Sequence, residues 1–272
     1  MSTEIDDILE AQTEIDTVYF KSNFKHLQDH NGHRPGELAA LIGSKGSGKS
    51  TLLRSWILET LLLKKKTFLH LSEEVAPKYL MPIGKALIGV LKNKEAAQDH
   101  LNYLHTQSEK HFDNQYEQTE MITGLEYRIR EFGAELVIID NFTTSVMSRQ
   151  GVSKEAEYAQ KLTFLAEKLN VPIIVVCHTT KAFKNTGIAS GEDIRGNASM
   201  ANTAGIVYTV NSKLDSTEKP SFILVDKSRY HGKAHKSIYR LQYDATDRVF
   251  YQDIKSDYET ASGFWKAKKE RK

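Results

Sequence analysis

The chain has 272 residues, 40% hydrophobic and 26% charged, a balance that supports a packed core and excludes a disordered polyelectrolyte. A net charge of +2 names no polyanionic partner by itself, so any nucleic-acid site has to be local. The single cysteine, Cys177, excludes an intrachain disulfide framework and fits the cytoplasm; the acidic start shows no signal-peptide pattern, and no apolar run reaches the length of a membrane span.

Residues 1–33 precede the core and form an N-terminal arm. Ile5, Ile8, Leu9 and Ile15, interleaved with acids, predict a short amphipathic helix. It suits equally a helix packed on its own domain or an arm docked on a neighbouring subunit. Arg34-Pro35-Gly36-Glu37 predicts a turn that launches a short apolar strand over residues 38–42.

The segment Gly43-Ser44-Lys45-Gly46-Ser47-Gly48-Lys49-Ser50-Thr51 then reads G-x-x-x-x-G-K-S, the phosphate-binding P-loop, between a strand and a helix as the motif requires. Its glycines let backbone N–H groups converge on an anion, and the helix start adds a positive dipole end. Lys49 suits the β- and γ-phosphates of ATP or another nucleoside triphosphate, and the Ser50 hydroxyl suits Mg²⁺.

After Lys64-Lys65-Lys66, residues 67–71 predict a second strand that runs through Ser72 into Glu73 and Glu74. A carboxylate there can polarise a water for attack on a γ-phosphate, or simply favour the start of the next helix. Residues 82–92 predict a helix with Pro82 in its first turn and Ile83, Leu87, Val90 and Leu91 on one stripe. Residues 93–98 read as a polar break, 101–105 as an added strand and 117–132 as a helix.

Residues 136–139 are apolar and end in Asp140-Asn141, the Walker B pattern, whose aspartate holds Mg²⁺. A polar stretch over 142–153 carries Arg149, and a helix follows over 154–169. Residues 171–177 predict a buried strand ending in His178, either a satisfied strand-end histidine or a sensor of the γ-phosphate. The next loop carries Lys181, Lys184 and Asn185 and suits a phosphate backbone or plain solvent. Asp193-Ile194-Arg195-Gly196 leads to a short helix and a strand over 205–210. A strand over 222–226 runs into Lys227-Ser228-Arg229. Two cations two residues apart on an extended segment face one side, as an arginine finger for a neighbour's nucleotide or as an exposed basic hairpin. Residues 237–252 predict a closing hairpin, and the tail over 255–272 is basic.

In this order the segments resemble the RecA-like motor domain of DnaB-type hexameric replicative helicases, most of all the helicase half of phage primase–helicases and their mitochondrial relative Twinkle. The resemblance runs from Arg34 to Asp253. It rests on the Arg34–Leu38 turn, the P-loop, Leu71-Ser72-Glu73-Glu74, Val137-Ile138-Ile139-Asp140-Asn141, Val176-Cys177-His178, Asp193-Ile194-Arg195-Gly196 and the Lys227–Gly232 segment. It implies an α/β fold, a RecA-like P-loop ATPase core over residues 34–254 with a mostly parallel sheet, flanking helices and a C-terminal antiparallel hairpin. It implies Glu73 as catalytic glutamate, His178 as sensor, Arg229 as finger with Lys227 beside it, and DNA contacts from the loops bearing Arg149, Lys181, Lys184, Asn185 and Arg195. It further implies ATP and Mg²⁺ as cofactors, single-stranded DNA and a homo-hexamer as partners, a separate primase or polymerase nearby, and the host cytoplasm for a phage-encoded chain. A RecA- or KaiC-like ATPase without helicase activity is the alternative.

Overall fold

The computed structural model describes residues 22–72, 76–108, 118–144, 152–179, 199–211, 221–229, 237–244 and 249–256. Its strands are β1 (Leu38–Gly43), β2 (Thr67–Leu71), β3 (Leu104–Ser108), β4 (Leu136–Asp140), β5 (Ile173–His178), β6 (Ile206–Asn211), β7 (Ser221–Ser228), β8 (Ser237–Asp244) and β9 (Val249–Ser256). They form one sheet in the order β3-β2-β4-β5-β1-β6-β7-β8-β9. β3 through β6 are parallel, and β7, β8 and β9 add on antiparallel.

The helices are α1 (Lys25–Gln28), α2 (Lys49–Leu62), α3 (Ala76–Leu91), α4 (Lys94–Leu101), α5 (Gln118–Phe132), α6 (Val152–Leu169) and α7 (Ser199–Thr203), with a 3₁₀ turn at Phe142–Thr144. α1 to α4 cover one face of the sheet, and α5 to α7 the other. Strands covered on both faces need apolar residues at every position. β1 obeys this: Leu38, Ala40 and Ile42 join one core, Ala39 and Leu41 the other. α2 is enclosed nearly all round, with Leu52, Leu53, Trp56, Ile57 and Leu61 each at most 1% exposed.

Three expectations are corrected. Residues 93–98 are not a break: Asn93 accepts a hydrogen bond from Ala96 N–H at 2.9 Å and caps α4. α3 begins before residue 82, so Pro82 sits inside the helix rather than in its first turn. Within α3, Ile83 and Leu87 are buried and Leu91 packs partly buried against the same core, but Val90 is 52% exposed and lies off that stripe.

The arm's root, residues 22–33, packs on the body. Ser22 Oγ and Asn23 N–H donate to the Glu59 carboxylate on α2 at 2.6 and 2.7 Å. Asp253 on β9 accepts from the backbone N–H groups of Lys25 and His26, and its Oδ2 lies 2.5 Å from His26 Nδ1. His26 lies among the rings of Phe24, Trp56, Tyr208 and Tyr239. Residues 1–21 and 257–272 lie outside the described residues.

Candidate nucleotide-hydrolysis site

Parallel strands bring their carboxyl ends to one edge, where ligands of open α/β sheets bind. Here that edge carries Ser72, Asp140, His178 and Gly43 from β2, β4, β5 and β1, which are successive neighbours in the sheet. Gly43 pairs in register with His178, and Leu71 with Asp140. The sequence thus places the Walker B acid, the strand-end histidine and the P-loop on one rim.

The loop from Gly43 to Lys49 is tightest at its first residue. A Cβ on Gly43 would collide with Ser47 Oγ and stand 2.8 Å from the Val210 carbonyl oxygen, so a side chain there is excluded. Gly48 caps α2 at φ 90°, a conformation that side-chain-bearing residues avoid. No side chain caps the first turn of α2, which leaves its N–H groups turned to an anion. Among the described residues the buried Ser47 hydroxyl has no hydrogen-bond partner. That orphan, the open helix start and a buried lysine fit a bound phosphate.

Lys49 folds over the loop. Its ammonium donates to the carbonyls of Gly43 and Ser44, each at 2.8 Å. Burial pushes its pKa down to about 8, with the Asp140 carboxylate opposing that shift. Ser50 Oγ lies 3.4 Å from Asp140 Oδ2. A hydroxyl and a carboxylate so close are a hard-oxygen pair that suits Mg²⁺.

Two hydroxyls that sequence reasoning did not single out tie the strand ends together. Ser72, next to Glu73, donates through Oγ to the Asn141 carbonyl at 2.7 Å and through its N–H to the Asp140 carbonyl at 2.9 Å. Thr143 Oγ1 accepts from His178 N–H at 2.9 Å. Hydroxyls just past strand ends are the signal that could have found them. Glu73, Arg149, Lys181, Lys184, Asn185 and Arg195 lie outside the described residues.

Lys227 and Arg229 sit at the other end of the sheet. β7 runs antiparallel to β6, and Ser228 pairs with Ile206 where β6 begins. Arg229 is exposed; its Nη2 donates to the Asn202 carbonyl at 2.7 Å and its N–H to the Gly205 carbonyl at 3.0 Å. Lys227 Nζ donates to the carbonyls of Ala201 and Asn202 at 3.0 and 2.8 Å. The last carbonyls of α7 thus hold both cations, as a helix C-terminus favours. Burial, then the neighbouring Arg229 charge, holds the Lys227 pKa below its usual range.

A family profile described as an AAA domain matches residues 21–183, more than half of the sequence and the whole P-loop rim. The chain belongs to the AAA-domain family. No curated protein matches it in sequence. Among solved structures, this AAA-domain chain is similar to one described as an ATPase domain, at 11% identity and a TM-score of 0.73 over 93% of this chain and 99% of that one. It is also similar to a DnaB-like replicative helicase studied for its interactions with primase, at 12% identity and a TM-score of 0.72 over 93% of this chain and 67% of that one. The RadB recombinase matches at 20% identity and a TM-score of 0.60 over 87% of this chain and all of that one. At such identities the likeness is one of fold, and the fold is that of a RecA-like P-loop ATPase, which implies nucleotide binding.

Proposed function

We propose that the chain is the motor of a ring-forming replicative DNA helicase, which hydrolyses ATP in pockets shared between adjacent subunits and moves along single-stranded DNA. The observation that carries this reading is the separation of the P-loop from Arg229. They lie at opposite ends of the central strands, roughly 17 Å apart along the strand direction, which is five steps of about 3.3 Å in a six-residue strand. Arg229 cannot meet a nucleotide held by its own P-loop, so a finger role needs a second copy.

In this reading Lys49 and the P-loop N–H groups bind the β- and γ-phosphates, and Ser50 and Asp140 would hold Mg²⁺, which when bound would supply charge neutralisation for phosphoryl transfer. Glu73 orients and deprotonates the attacking water. His178 senses the γ-phosphate. Arg229 and Lys227 of the neighbouring subunit stabilise the transition-state charge, so hydrolysis requires assembly. The loops bearing Arg149, Lys181, Lys184, Asn185 and Arg195 contact DNA phosphates in the channel, which makes binding tolerant of sequence and sensitive to salt. The likeness to a helicase whose structure concerns primase supports a primase as a further partner; a polymerase is a further candidate.

The test is unwinding of forked DNA with ATP and Mg²⁺, with native mass measured alongside. Rings that unwind forks support the helicase. The likeness to RadB recombinase supports a second reading, a strand-binding ATPase, which hydrolyses ATP and coats DNA without unwinding it.

A further inference from the structure

Glu37, in the turn that launches β1, is a buried carboxylate that the scheme above leaves without a task; it is 8% exposed. Its side chain lies across Gly205, in the space where a Cβ would be. An added Cβ there would collide with Glu37 Oε1 and stand 3.0 Å from its Cδ. Gly205 is also where the Arg229 backbone is fastened, since its carbonyl accepts from Arg229 N–H at 3.0 Å while its own N–H donates to the Leu38 carbonyl at 2.9 Å.

We propose that Glu37 is a positioning residue for Arg229: laid over Gly205, its carboxylate fixes the guanidinium at the sheet edge from which it reaches the neighbouring subunit. This inference rests on the shared-pocket reading given above. Two hydrogen bonds hold the finger, the Asn202 carbonyl on its guanidinium and the Gly205 carbonyl on its backbone, and the Glu37 side chain lies directly over the second of these anchors.

The charged and titratable groups facing Glu37 are Arg34 from its own turn, Arg229 from the end of β7 and Tyr208 from β6. Burial raises the Glu37 pKa to about 7, and the two guanidinium charges pull against that rise. Among the described residues it forms no direct ion pair, so the cations act on it through space.

The test compares wild type with Glu37→Gln in the assembled, full-length protein. The variant keeps the shape and removes the charge. ATP turnover should fall by about tenfold or more, the size of effect a misplaced catalytic group produces, with KM for ATP unchanged because the P-loop lies at the other end of the strands. Wild-type kcat should rise with pH through about 7 and level off, and that step should vanish in the variant. Thermal stability at pH 8 should be equal or higher in the variant, since a buried charge has gone. Gly205→Ala, which displaces the same side chain with its charge intact, should lower kcat too, and the double variant should be no worse than the lower single. Wild-type kcat in Glu37→Gln overturns the proposal, as does a kcat loss matched by lost stability. If Arg229→Ala is inactive while Glu37→Gln is normal, only this inference falls. If Arg229→Ala is fully active, the shared-pocket reading falls with it.

Discussion

Ser50 on α2 and Asp140 at the end of β4 face each other with 3.4 Å between hydroxyl and carboxylate oxygen. Both are hard oxygen donors, and together they would hold Mg²⁺, which would supply charge stabilisation for phosphoryl transfer. Asp140→Asn should therefore lower Mg²⁺-dependent ATP hydrolysis by roughly a hundredfold or more, since the ion supplies several kcal/mol of charge stabilisation. Chelation with EDTA should abolish wild-type turnover. Turnover that is equal with and without Mg²⁺ would contradict the pairing.

Burial of Lys49 sets a pH dependence on nucleotide binding. Its pKa of about 8 lies below the ordinary lysine range. Below pH 8 the ammonium is present and binding takes up no proton there. Above pH 8 the bound phosphates must recruit a proton to the lysine, so affinity falls by up to about tenfold per pH unit. Titration with a fluorescent ATP analogue between pH 7 and 9.5 measures this, and a flat affinity across that range would refute it.

Glu37 sets a pH dependence of its own, read in a stability measurement. Its folded pKa of about 7 lies above the ordinary glutamate value of 4.5. The folded state therefore holds the proton more tightly, and the stability this group contributes is full below pH 4.5 and lost as pH rises to 7. The loss is roughly 3 kcal/mol, at about 1.4 kcal/mol per pKa unit. Chemical denaturation of wild type and Glu37→Gln from pH 5 to 8 should show the difference shifting in favour of the variant by this order.

The clasp between His26 and Asp253 supports a structural prediction. Both side chains are fully buried, and the carboxylate also accepts backbone N–H groups of the arm's root. Asp253→Ala leaves those donors and the imidazole without their acceptor, which costs about 1–3 kcal/mol for a buried polar group left unsatisfied. Hydrogen exchange should rise first at residues 22–33, while the protection of β1 and β5 persists. Uniform exposure of the whole chain instead would show that the root is not a separable unit.

The P-loop, Walker B strand and histidine strand were legible because motif and strand end coincide: β1, β4 and β5 each run apolar into one chemically distinct residue. α4 was missed because its one buried apolar residue short of the C-terminus is Ala97, too faint a stripe to set against five polar neighbours, and its start rests on a side-chain cap from Asn93. The docking of residues 22–33 was invisible because its acceptor, Asp253, lies 228 residues from Lys25 in the chain. Glu37 was read as part of a turn. Its importance comes from the glycine it covers and the arginine it faces, both brought to it by β6 and β7.

Mixed assemblies test the composite pocket most directly. Lys49→Ala keeps the finger and loses the phosphate site; Arg229→Ala keeps the phosphate site and loses the finger. Each alone should hydrolyse ATP at least about a thousandfold more slowly than wild type. Mixed before assembly, they should regain a measurable fraction of wild-type turnover, because some neighbours then unite an intact loop with an intact finger. A mixture as inactive as its components, or an Arg229→Ala protein with full activity alone, would contradict the account.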